Sequence, residues 1–172
     1  MQWSVIPQKG EVPAPRDDHS MVQVGPGQFL IFGGFVNGSR RNDVYQLNFD
    51  GSSANWTLLA GNSSGHSTPP ARASHCAGFH ANTMYVIGGE DEDHNKLNDF
   101  WAFSLDSKTW QQLDCHGQED FFRSGASASV ANGRIYIFGG ILEITKELND
   151  MYVFDCASKS IQKYDDAVQQ QQ

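Results

Sequence analysis

The chain has 172 residues, 39% hydrophobic and 19% charged, with a formal net charge of −8. That is enough for one ordinary domain. The acidic balance argues against a general binder of nucleic acid or anionic lipid, since both reward a basic face. No stretch approaches the run of about 18 apolar residues that a membrane-spanning helix needs, and Met1-Gln2-Trp3-Ser4 has neither the basic nor the apolar region of a secretory signal. Cys76, Cys115 and Cys156 are odd in number and form no CxxC pair, so reduced thiols in the cytoplasm or nucleus are expected, not secretion. Seventeen glycines and 12% aromatic residues suit many short strands joined by turns.

In chain order, residues 3–6 are β-prone and read as a strand detached from its unit. Residues 7–15 form a link too broken by proline for a helix. Arg16 and His19 then lead into a first strand at 19–24, and Gly25-Pro26-Gly27 makes a tight turn. The second strand, 29–32, is almost wholly apolar, as for a strand buried on both faces, and Gly33-Gly34 is expected to end it. A loop at 35–41, a third strand at 42–47 and a fourth at 56–59 complete the unit. The order recurs after a long loop: Arg72 and His75, strands at 74–80 and 84–87, Gly88-Gly89, an acidic loop at 90–96, Asn98-Asp99-Phe100-Trp101, and Trp110. A third unit starts at Arg123, with Ala126 where His19 and His75 stood. Asn132-Gly133 is a strong hairpin signal, followed by Gly139-Gly140 and Asn149-Asp150-Met151-Tyr152. This unit lacks its tryptophan, because Ile161 stands there. The tail at 165–172 is polar and rich in glutamine.

Several residue types share one period. Gly33, Gly88 and Gly139 are 55 and 51 residues apart, and Arg16, Arg72 and Arg123 are 56 and 51 apart, as are Tyr45, Trp101 and Tyr152. A period of about 50 residues marks a repeat architecture.

The diglycine after an apolar strand, the aromatic just after Asn-Asp, and the tryptophan ahead of the next unit resemble a kelch repeat, over roughly residues 3–164. The resemblance implies an all-β, kelch-type β-propeller with three four-stranded antiparallel blades, at about 16–59, 72–113 and 123–164, plus an extra N-terminal strand at 3–6. Propellers close with about 4–8 blades. The chain is therefore expected to be a piece of a longer propeller or half of a six-bladed ring made by a homodimer. In the ring, the strand around Trp3 would complete a third blade whose own fourth strand is weak.

Strands of such a blade alternate in direction, so the long loops after strands 2 and 4 share one face. Long loops on a rigid scaffold are where binding resides. The expected function is a non-catalytic protein-protein interaction module, an adaptor or scaffold, that holds a protein or peptide there. Candidate partner-binding residues are the basic spot Arg40-Arg41, the acidic run Glu90-Asp91-Glu92-Asp93, the apolar pair Phe121-Phe122, and the strand-1 arginines Arg16, Arg72 and Arg123. Arg123-Ser124-Gly125-Ala126 resembles the start of strand 1 in kelch domains whose arginines bind acidic peptides, and arginine suits carboxylates through bidentate bonds. Ile141-Leu142 also falls at a loop position. No cofactor is expected, nor a nucleic-acid or membrane partner. The alternatives are a metal-dependent kelch-type enzyme domain using iron or copper, and a self-assembling propeller fragment. Cys115-His116 is a single pair without partners at ligand spacing, and no phosphate-loop or hydrolase motif occurs.

Overall fold

The computed structural model describes residues 4–61 and 67–164, and among these there is no helix. The chain opens with β1 (Gln8–Gly10). Blade 1 follows with β2 (Ser20–Gly25) and β3 (Gln28–Phe32), a small hairpin of β4 (Phe35–Val36) and β5 (Ser39–Arg40), then β6 (Val44–Phe49) and β7 (Ala54–Ala60). Blade 2 is β8 (Cys76–His80), β9 (Thr83–Glu90), β10 (Lys96–Ser104) and β11 (Thr109–Leu113). Blade 3 is β12 (Ser127–Ala131) and β13 (Arg134–Phe138), a hairpin of β14 (Ile141–Glu143) and β15 (Lys146–Glu147), then β16 (Met151–Asp155) and β17 (Ser160–Tyr164). Within each blade the four main strands pair antiparallel in one up-and-down order; blades 2 and 3 are four-stranded sheets and blade 1 is a five-stranded sheet that also includes β1.

The blades stack face on face, and the hydrophobic core lies between them. Leu30, Phe32 and Val44 of blade 1 pack on Met84, Val86, Trp101 and Phe103 of blade 2. Tyr85, Ile87, Phe100 and Leu113, from the other face of blade 2, pack on Ile135, Ile137, Tyr152, Phe154 and Ile161 of blade 3. This explains the unbroken apolar run of β9, where residues of both parities are buried, one set against each neighbouring blade; in β13 only Ile135 and Ile137, which face blade 2, are buried. Trp110 sits edge-on between Phe32 and Phe103, at 5.0 Å from each centroid. In blade 3, Ile161 takes that place in the core.

Both glycines of each pair have positive φ, between 60° and 97°. At Gly34 a Cβ would lie 2.5 Å from the Asp17 carbonyl, and at Gly89 2.8 Å from that of Ala73. The pair therefore bends the chain where no side chain fits. It does not end the pairing, however. β9 runs through Gly88 and Gly89 to Glu90, and in blades 1 and 3 the chain resumes as β4 and β14. The expected loops are thus hairpins. Each is tied at its base by a bridge to the residue after the strand-1 arginine: Asp17 to Phe35, Ala73 to Glu90, Ser124 to Ile141.

The N-terminal strand also differs from expectation. Trp3 lies outside the described residues, and residues 4–6 are exposed without ladder partners. The extra strand is β1. It adds in parallel to the outer edge of β7, held by the Trp56 indole N–H donating to Gln8 Oε1 (2.8 Å) and by Leu58 N–H donating to Glu11 Oε2 (3.0 Å). Nor is the fourth strand of blade 3 weak. β17 pairs along its whole length with β16, from Asp155–Ser160 to Met151–Tyr164.

Candidate functional site

The three strand-1 arginines occupy one repeated position. Arg72 donates through Nη1 to the Gly88 carbonyl (2.8 Å) and through both terminal nitrogens to Asp99 (2.6 and 2.7 Å). Arg123 makes the same bonds to the Gly139 carbonyl and Asp150, and Arg16 to the Gly33 carbonyl and Asp43. Each guanidinium thus joins the strand-1 start, the diglycine and the Asn-Asp segment of its own blade. Arg72 and Arg123 are buried, and Arg123 is stacked on Phe121 and Tyr152 at 4.5 and 4.6 Å. The bidentate geometry that suggested recognition of an acidic peptide is taken up here by the blade's own aspartate, so these arginines act as latches within their blades. Burial pushes the Asp150 carboxyl up, but the bond and charge of Arg123, with Lys163 nearby, outweigh it and hold the pKa below the ordinary value. The asparagines of the same motif tie down the blade linkers: the Asn42 side-chain N–H donates to the Pro69 carbonyl (2.8 Å) and that of Asn98 to the Gln118 carbonyl (3.4 Å).

The two charged spots meet each other. Arg40, on β5, is buried against the β9–β10 hairpin and pairs with Glu90 and Glu92, while Glu90 also binds Lys96. His94 Nδ1 lies 3.0 Å from Glu90 Oε1 and 3.1 Å from Arg40 Nη2. Asp91 is spent on its own turn, accepting from the backbone N–H groups of Asp93 and Asn95. Blades 1 and 2 are therefore clasped at their hairpins by charges that sequence alone had offered to a partner. Asp93 stays exposed, and Arg41, half-buried, lends its carbonyl to the Arg72 N–H at 3.0 Å.

The apolar pair divides. Phe121 is buried, with its ring 5.6 Å from Phe100 and 5.2 Å from Tyr152, and plugs the blade 2–blade 3 junction. Phe122 is 40% exposed. Three more apolar side chains project from the same side of the array: Phe35 at 37%, Ile141 at 37% and Ile144, at the tip of the β14–β15 hairpin, at 98%. Phe35 and Ile144 were not singled out from sequence: Phe35 shares its repeat position with Glu90 and Ile141, so no one residue type recurs there, and Ile144 lies at no repeated position.

Other chemistry is sparse. Burial pushes the Cys76 and Cys115 thiols up to about 12 and also raises Cys156, so none is an activated nucleophile. Among the described residues no three His, Cys, Asp or Glu side chains converge as ligands, and no helix is long and apolar enough to cross a membrane. His75 is buried, its Nε2 2.8 Å from Ser20 Oγ. Its pKa is lowered to about 3 by burial and by Arg72.

Comparison with known proteins agrees with the blades. The chain is 31% identical over 158 residues to the flagellar outer-arm dynein alpha chain of Chlamydomonas reinhardtii, covering 88% of this chain and 3% of that one. It is 35% identical over 124 residues to tRNA wybutosine-synthesizing protein 2/3/4 of Arabidopsis thaliana, with 72% and 12% covered. It is 29% identical over 171 residues to host cell factor 2 of Homo sapiens, with 86% and 21% covered. The chain thus spans a small share of these relatives' lengths. Residues 62–171 match the model of the KLHDC2/KLHL20/DRC7 Kelch-repeats domain. With three blades that repeat the diglycine, the arginine latch and the interblade aromatics, the chain belongs to the kelch-repeat family.

Proposed function

We propose that this chain is a non-catalytic interaction module, an adaptor or scaffold in the cytoplasm or nucleus, that holds a protein or peptide on the face bearing its hairpin tips and blade linkers. The observation that carries this reading is the group of exposed apolar side chains, Phe35, Phe122, Ile141 and Ile144, on loops whose bases are pinned by bridges and ion pairs. Apolar residues on a preorganised surface are the usual anchors of recognition. Charged Asp93 and half-buried Arg41 would form the rim. Three free, buried cysteines fit a reducing compartment.

The test is a selection of displayed peptides on the immobilised chain, followed by titration of the selected peptide. Ile144→Asp and Phe122→Ser should each weaken binding by about tenfold or more, since losing one anchor costs upward of about 1.4 kcal/mol. The melting temperature should be unchanged. Equal binding by both variants would overturn the choice of this face.

A further inference from the structure

The two ends of the array carry matching halves of the contacts that join its blades. Between blades 1 and 2, Gly34 N–H donates to the Arg72 carbonyl (3.0 Å) and Ser74 N–H to the Asp18 carbonyl (2.9 Å). Between blades 2 and 3, Gly89 N–H donates to the Arg123 carbonyl (2.9 Å) and Gly125 N–H to the Ser74 carbonyl (2.7 Å). One step further, the corresponding groups have no backbone partner among the described residues. They are Gly140 N–H and the Gly125 carbonyl on blade 3, and the Arg16 carbonyl and Asp18 N–H on blade 1. Each end thus carries the donor that matches an acceptor on the other.

The side chains are more specific. At the first junction blade 1 presents the cross-strand pair Ser20–Phe32. Blade 2 answers with His75, bonded to Ser20, and with Trp110; the Phe32 ring stands 5.1 Å from His75 and 5.0 Å from Trp110. At the second junction the same positions hold Cys76 and Ile87 against Ala126 and Ile161, a different and smaller set. Blade 3 then returns to the first type. Its open face carries the cross-strand pair Ser127–Phe138, and the open face of blade 1 carries His19 and Trp56. The offsets agree: Ser20, Cys76 and Ser127 are 56 and 51 apart, Phe32, Ile87 and Phe138 are 55 and 51 apart, and Trp56, Trp110 and Ile161 are 54 and 51 apart.

We infer that blade 3 of one copy receives blade 1 of a second copy in the register of the blade 1–blade 2 junction, so that two chains close head to tail. His19 of each copy meets Ser127 of the other, and Trp56 meets Phe138. Closure covers both apolar sheet ends, where Phe138 is 56% and Met21 47% exposed, and such faces are rarely left bare. Two sets of three blades fall within the about 4–8 blades at which propellers close. A heterologous contact makes a closed ring where its rotation closes, and two copies of three blades complete this one. The inference concerns the sheet ends and is independent of the loop face.

The test is the mass of the chain in solution by light scattering. The expected value is twice the 19.0 kDa of one chain, constant with concentration. Phe138→Glu and Met21→Glu each spoil one end and should give monomers with an unchanged circular dichroism spectrum, with Tyr164→Glu as a second variant of the blade 3 end. An equimolar mixture of Phe138→Glu and Met21→Glu chains should associate again through the one intact junction, which a dimer joined through identical surfaces does not do. A wild-type monomer, a mass that climbs past two chains, variants that stay dimeric, or a mixture that stays monomeric would each overturn the ring. So would a longer chain in which a further blade, and not a second copy, protects the β13 amides from exchange.

Discussion

Burial and the charge of Arg72 keep His75 neutral, with a pKa of about 3 against an ordinary value of 6.5. A histidine depressed in this way binds its proton in the unfolded chain first. Its contribution to stability is complete above pH 6.5 and is lost progressively as pH falls toward 3. Between those values the free energy of unfolding should fall by up to about 1.4 kcal/mol per pH unit on account of this one side chain. His75→Gln should remove that part of the slope in urea titrations run from pH 6.5 to 4. An unchanged slope would show that the ring is not held neutral. His19, at the same repeat position but exposed, is lowered less, by partial burial and by Arg16.

At the scale of the element, the arginine latch does for each blade what the strand ladders cannot. It fixes the bend at the diglycine to the start of strand 1. Arg72→Met leaves Asp99 without its bidentate partner and the Gly88 carbonyl without its donor. Removing one member of a buried pair typically costs about 3–5 kcal/mol, so the denaturation midpoint should drop sharply with the strand content of the native state intact. A loss under about 1 kcal/mol would mean the aspartate finds water instead. The latch also shows what a sequence can and cannot reveal. Arg16, Arg72 and Arg123 stood out by their common period, and so did Asp43, Asp99 and Asp150, but nothing in one dimension said that they face each other. The same holds for Arg40 and Glu90, which lie 50 residues apart and meet only because successive hairpins stand side by side. The diglycines and the interblade aromatics were legible because each copy repeats the same packing demand. Phe121 and Phe122 were not separable, because the linker that carries them has no period to say which ring turns inward. β1 was missed because a parallel edge strand of three residues leaves no alternation to read.

For the whole molecule, blade 2 is the keystone. Both of its faces are covered, while blades 1 and 3 each have one bare face. In a monomeric variant such as Phe138→Glu, amide exchange should be slowest in β9 and β10 and faster by about tenfold or more in β3 and β13, since local opening scales with the apolar contacts it breaks. Uniform protection across the three blades would contradict this gradient. β1 has a further, practical consequence. It runs parallel to β7, with Gln8 beside Ala54 at the end of the blade that carries the tight turns. A tag or surface linkage placed ahead of Gln8 therefore leaves from the outer rim, on the side away from the hairpin tips. A chain anchored there would stand upright on a sensor chip, its proposed binding face turned outward to the flowing analyte.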